Sequence, residues 1–159
     1  GGFDDIEGAR ANLWRWSIDT ATGTVTEEQL DDRTADFPRV DDRRTGLSAR
    51  YGYLTEIRTE PGVGAAIGSE LYRYDLETGG VETHRTNATT RLAEPVFVPA
   101  GPDAAEDEGW VLVHATDEAE GRTDLLVIDV DDFAGEPVAR VHLPQRVPYG
   151  AHGSWLAAD

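Results

Sequence analysis

Apolar and polar residues alternate along this chain in short runs, with the period of β-strands. Leu13-Trp14-Arg15-Trp16-Ser17-Ile18 is aromatic and β-branched, and Leu71-Tyr72-Arg73-Tyr74-Asp75-Leu76 repeats its form. Further runs are Glu94-Pro95-Val96-Phe97-Val98, Trp110-Val111-Leu112-Val113-His114, Leu125-Leu126-Val127-Ile128-Asp129-Val130 and Val138-Ala139-Arg140-Val141-His142-Leu143. Turn residues separate them. Only Thr26 to Asp32 has weak helical character, and Thr24-Val25-Thr26-Glu27 reads equally well as strand. The pattern predicts an all-β fold.

The runs recur as a unit. Leu13-Trp14-Arg15-Trp16 leads to Asp19-Thr20-Ala21-Thr22-Gly23 and then Val25. Leu71-Tyr72-Arg73-Tyr74-Asp75 leads to Glu77-Thr78-Gly79-Gly80 and then Val81, and Leu125 to Asp129 leads to Asp131-Asp132-Phe133-Ala134-Gly135 and then Val138. Each unit is an apolar strand, an acidic turn ending in Gly and a second strand, the hairpin that a β-propeller blade repeats. Its starts lie 58 and 54 residues apart, slightly beyond the usual blade period of about 40–50. A sandwich would show similar strands but less often a recurring unit. Three units predict about three blades, too few to close a ring of roughly 4–8. The chain also contains no Met. Residues 1–159 therefore read as part of one propeller domain, with the other blades on a longer polypeptide.

Composition narrows the function. The chain carries 31 acidic against 14 basic residues, a net charge of −17, and every basic residue is Arg. Nucleic acid is an unsuitable partner, because phosphate binding needs basic patches. Dispersed carboxylates without Lys suit a halophilic surface, where salt screens self-repulsion; an ordinary acidic protein with biased codons is the alternative. With no Cys, disulfides, thiolate metal sites and Cys nucleophiles are excluded from these residues. No stretch approaches about 18 apolar residues, so no helix here would span a bilayer. The reading is a cytoplasmic protein, with any peripheral membrane contact left to parts outside this chain.

Four histidines offer metal-binding chemistry. His84 sits in the polar run Glu82-Thr83-His84-Arg85 and is expected to be exposed. His114 and His142 lie inside apolar strands, where a hydrogen-bonded structural role is the more common one. His152 follows a strand and a Pro and is closely flanked by glycines, in Pro148-Tyr149-Gly150-Ala151-His152-Gly153-Ser154-Trp155. Glycines permit close backbone approach, so His152 suits either a ligand at a propeller axis or a plain turn. No HExxH, EF-hand loop, nucleophile elbow or phosphate-binding loop is present. The acidic run Asp103 to Gly109 reads as a solvated strand connection.

Arg140 to Trp155, read as Arg140-Val141-His142-Leu143-Pro144-Gln145-Arg146-Val147-Pro148-Tyr149-Gly150-Ala151-His152-Gly153-Ser154-Trp155, closely resembles the C-terminal signature of the carotenoid cleavage oxygenases. Glu94-Pro95-Val96-Phe97-Val98-Pro99 with Gly109-Trp110-Val111-Leu112 resembles that family's penultimate blade. Asp36-Phe37-Pro38-Arg39-Val40-Asp41 and Arg50-Tyr51-Gly52-Tyr53 resemble an earlier pair of motifs, and Asp132-Phe133-Ala134-Gly135-Glu136-Pro137-Val138-Ala139 fits between.

The resemblance implies the C-terminal blades, about three, of a seven-bladed β-propeller that holds Fe(2+) on its axis through four histidines. Three of those histidines are oriented by glutamates in that family. His152 matches the last ligand and Glu94 one orienting glutamate. Asp36 stands where another glutamate is usual, a shorter side chain. Two other departures are Ser48-Ala49-Arg50, where relatives often place a His before Arg-Tyr, and Ala151, where a bulkier apolar residue is common. The three remaining ligands would precede Gly1. These assignments suit the chemistry: imidazole binds iron, and a ligating His needs its other nitrogen bonded to a carboxylate or carbonyl. A nearby divalent cation also keeps buried carboxylates ionised. The implied activity is an Fe(II)- and O2-dependent dioxygenase cleaving a conjugated C=C bond of a carotenoid, apocarotenoid or stilbene-like substrate. The alternatives are a retinoid isomerase-like enzyme and a non-catalytic propeller binding module.

Overall fold

The computed structural model describes residues 11–60, 64–150 and 152–157, so Ala151 lies outside the described residues. Among the described residues the regular structure is eleven strands and two short 3₁₀ turns, with no α-helix. In chain order the strands are β1 (Trp14–Asp19), β2 (Thr24–Gln29), β3 (Ala35–Arg39), β4 (Tyr51–Glu60), β5 (Gly64–Asp75), β6 (Gly80–Arg85), β7 (Thr90–Leu92), β8 (Val96–Pro99), β9 (Gly109–Asp117), β10 (Arg122–Asp129) and β11 (Ala139–His142). They form three antiparallel units: the hairpin β1–β2, the sheet β3-β4-β5-β6, and a sheet β11-β10-β9 in which β7 and β8 both pair with the other side of β9. Two meandering sheets and a hairpin are blades of a propeller, as the strand recurrence predicts. The weak helical segment at Thr26 to Asp32 is instead mostly strand: Val25, Glu27 and Gln29 pair with Ile18, Trp16 and Trp14. Alternating polar residues on an edge hairpin satisfy a period of two as well as a helical turn, and the cross-strand ladder decides.

The blades stack face to face through their apolar sides. Tyr53 and Leu71 from β4 and β5 meet Leu92, Phe97, Val111, Val113, Leu126, Ile128 and Phe133 of the next blade. The rings of Tyr53 and Phe97 lie parallel with centroids 5.7 Å apart. The opposite face of the β3–β6 blade, with Ala35, Leu54, Tyr72 and Tyr74, packs against Leu13 beside the β1–β2 hairpin. Truncating such core residues to Ala typically costs about 2–5 kcal/mol.

One turn chemistry closes three hairpins. At Asp19–Gly23, Asp75–Gly79 and Asp117–Gly121 the Gly N–H donates to the Asp carbonyl at 2.8 Å. In each, the Asp side chain accepts backbone N–H groups two and three residues on. Each Gly has positive φ, between 65° and 75°, which only Gly adopts at little cost. By blade position the third unit is β10–β11, as the sequence indicates, but the matching turn lies one hairpin earlier, between β9 and β10.

The acidic connection between β8 and β9 is not merely solvated. Glu106 Oε1 accepts the N–H groups of Arg50 and Tyr51 at 2.5 and 3.1 Å, and Asp107 accepts from Tyr53 and Arg73. Arg43 donates to the carbonyls of Gly101, Pro102, Ala104 and Ala105 while pairing with the buried Asp41. The loop fastens one blade to its neighbour, because arginines of the adjacent blade supply the donors its carboxylates and carbonyls need.

Candidate metal centre

The site begins with two irregularities in strand pairing. Leu92 pairs with Ala115 but Val96 pairs with Leu112, so Ala93, Glu94 and Pro95 face only Val113 and His114. Asp36 pairs with Thr55 but Arg39 with Tyr53, so Phe37 and Pro38 face Leu54 alone. Each is a one-residue β-bulge on the first strand of its blade. Pro38 and Pro95 suit these places, since neither can donate to a ladder. A bulge re-aims the side chain beside it, here the carboxylates of Asp36 and Glu94.

Glu94 is aimed at the segment after β11. Its Oε1 lies 3.2 Å from His152 Nδ1, and its Oε2 accepts the Gly153 N–H at 2.7 Å. Arg39 Nη1 stands 3.3 Å from the same Oε2 and donates to the Gly153 carbonyl at 2.6 Å. The Glu94 side chain is only 7% exposed, whereas His152 is 77% exposed. A carboxylate offers only acceptors, so in the neutral ring Nδ1 carries the proton and Nε2 keeps a free lone pair. That imidazole can bind a metal ion, and the bond to Glu94 fixes its tautomer.

Asp36 is exposed, and its Oδ1 accepts the N–H of the adjacent Phe37 at 2.7 Å. Among the described residues no side chain bonds it. Asp36 and Glu94 thus share a backbone device, and the structure brings only Glu94 to His152. The residue after Asp36 does reach the site: the Phe37 ring meets the His152 ring edge-on, with centroids 6.2 Å apart. Phe37 has φ of 56°, left-handed backbone that is costly for a bulky residue and concentrates at functional places.

The other histidines divide differently from the sequence expectation. His84 is buried, 3% exposed, instead of exposed. Its Nδ1 lies 3.2 Å from the Phe133 carbonyl, and the neighbouring blade covers it. Burial pushes its pKa down, with the Phe133 carbonyl opposing. His142 is hydrogen-bonded as expected, its Nδ1 2.8 Å from the buried Asp124. Burial would raise the Asp124 pKa, but the bonds from His142 and Arg140 prevail and hold it below the usual carboxylate range. His114 is exposed, and among the described residues its ring makes no hydrogen bond, in contrast to the structural role expected of it. It lines, with Glu94, His152, Leu112 and Trp155, a cleft of about 430 Å³ under the last segment. Among the described residues no three His, Cys, Asp or Glu side chains cluster as a metal site. A metal ion held at His152 would need further ligands from beyond these described residues.

Sequence reasoning missed Arg39 and Phe37. Both lie in the Asp36 motif, but their reach to the adjacent blade depends on the bulge, which leaves no periodic signal.

The model of the family described as Retinal pigment epithelial membrane protein matches residues 3–157. A carotenoid cleavage oxygenase of Mycobacterium tuberculosis is 38% identical over 149 residues, covering 92% of this chain and 29% of the relative. A crystal structure of Pseudomonas brassicacearum lignostilbene dioxygenase superposes with TM-score 0.84 at 30% identity, over 92% of this chain and 32% of that one. Cobalt-substituted Synechocystis apocarotenoid oxygenase does so with TM-score 0.83 at 31% identity, over 92% of this chain and 30% of the other. The chain therefore spans about a third of the length of its relatives. Its meandering antiparallel sheets are those of a propeller portion, and the chain belongs to the Retinal pigment epithelial membrane protein family, which includes carotenoid cleavage oxygenases and lignostilbene dioxygenases.

Proposed function

We propose that this chain supplies part of an Fe(II)- and O2-dependent dioxygenase that cleaves a conjugated C=C bond to two carbonyl products. The substrate class is a carotenoid, apocarotenoid or stilbene-like molecule, apolar and rigid. The observation that carries the reading is the His152–Glu94 pair: an exposed imidazole with one nitrogen bonded to a buried carboxylate and the other open. The relatives named for carotenoid and stilbene cleavage support the reaction class, and the cobalt-substituted relative supports a transition-metal site.

In this reading His152 contributes one of the imidazoles around the metal, and histidines elsewhere on the full polypeptide contribute the rest. Bound Fe(II) supplies the oxygen chemistry. Glu94 holds the proton on Nδ1, aims Nε2 and raises the basicity of the ring. Asp36 has the corresponding role toward a histidine outside this chain. Neutral imidazoles are donors that suit iron, so a histidine set would hold such an ion.

The test uses the full-length protein, iron-loaded, with a carotenoid, an apocarotenoid and a stilbene. Oxygen uptake in step with two shortened carbonyl products is expected, and chelation should abolish both. Isomerisation without oxygen uptake, or a protein that takes up no iron and turns over none of the three, would contradict the reading.

A further inference from the structure

We propose that Arg39 is a positioning residue for the His152 centre, acting across the seam between two blades. This rests on the reading of His152 as a ligand and Glu94 as its carboxylate partner.

Arg39 follows the Asp36 bulge on β3, yet its guanidinium ends at the last segment of the next blade. Nη1 donates to the Gly153 carbonyl at 2.6 Å and lies 3.3 Å from Glu94 Oε2. Nη2 pairs with Asp42 at 3.2 Å, which anchors the far side of the fork in its own blade. The side chain is 17% exposed, so these contacts are largely shielded from water. Both main-chain groups of Gly153 are thereby held: its N–H by Glu94 at 2.7 Å, its C=O by Arg39. Gly153 directly follows His152, so fixing the two peptide units that flank its Cα restrains the Cα–Cβ direction from which the imidazole projects. The same contact orients the Glu94 carboxylate, leaving Oε1 toward Nδ1. Phe37, two residues before Arg39, adds its ring edge to the same imidazole.

The geometry needs a planar fork. A guanidinium presents several N–H donors in fixed directions and serves the carbonyl, Glu94 and Asp42 together, whereas a Lys ammonium is a compact point charge on a flexible stem. Arg39 thus makes the orientation of a ligand on one blade depend on the placement of its neighbour.

The experiment titrates Co(II) into metal-free full-length protein, following affinity and the ligand-field absorption bands, for wild type, Arg39→Met, Arg39→Lys and Glu94→Gln. Arg39→Met should weaken Co(II) binding about 10-fold, within the range of about 10–100-fold for groups supporting a ligand, and shift the bands. Arg39→Lys, which keeps charge and length, should fall between Met and wild type, and it decides the matter should Arg39→Met not fold. Loss of affinity in Glu94→Gln with wild-type affinity and bands in Arg39→Lys would overturn the assignment of Arg39 alone. Wild-type binding in Glu94→Gln would overturn the underlying pairing and this inference with it.

Discussion

The bulges at Glu94 and Asp36 are the same device with different outcomes. Both interrupt the first strand of a blade by one residue, both carry an acid, and both place a Pro next to the irregularity. Glu94 turns its carboxylate inward, to 7% exposure, and engages His152, Gly153 and Arg39. Asp36, one methylene shorter, stays exposed and folds back on the N–H of Phe37. A bulge sets where a side chain starts, and the side chain's length and the groups facing it set what it does. In the Asp36 blade the cross-blade contacts are made by Phe37 and Arg39 instead.

The comparison predicts unequal effects in the full-length protein. Glu94→Gln should lower metal affinity and turnover by about 10–100-fold, the usual cost of losing the carboxylate behind a ligating His. Asp36→Asn should cost less, under about 10-fold, because among the described residues the Asp36 carboxylate bonds only the Phe37 N–H. Asp36→Glu should bind metal as tightly as wild type or tighter. Metal titration of the three variants checks the ranking, and Asp36→Asn harming binding more than Glu94→Gln would reverse it.

The seam between the same two blades gives a smaller, pH-dependent effect through His84. Burial depresses its pKa in the folded protein below the ordinary 6.5, so the unfolded chain binds the proton more readily. Stability then rises with pH wherever the unfolded state holds more protons. The melting temperature should fall as pH drops below about 6.5 and level off below the folded pKa. His84→Gln should flatten that slope, and an unchanged slope would remove His84 as its cause. The smallest effect concerns the charge of −17. Melting temperature should rise from low to molar KCl as carboxylate repulsion is screened, and a flat or falling series would end the halophilic reading.

Much of this architecture was legible in the sequence. The alternation around Trp110 to His114 and Leu125 to Val130 marks two strands that do pair, and two of the Asp-to-Gly turns read there, Asp19–Gly23 and Asp75–Gly79, close hairpins. Glu94 and His152, fifty-eight residues apart, were named on resemblance and meet in space. The rest depends on tertiary neighbours. His84 sits in a polar run yet is buried, because Phe133 of the next blade caps it. The run from Asp103 to Gly109 looks solvated until Arg43 and Arg73 reach it from the adjacent blade. Arg39 carries no local mark of a site, since Glu94 and Gly153, which it holds there, lie more than fifty residues away.

The central claim is that His152 presents an open Nε2 to the metal while Glu94 holds Nδ1. Iron quantification on purified full-length His152→Ala, beside wild type, tests it most directly. The account predicts that iron falls to background with the fold retained, because water does not replace an imidazole in this position. Full iron occupancy in His152→Ala would contradict it.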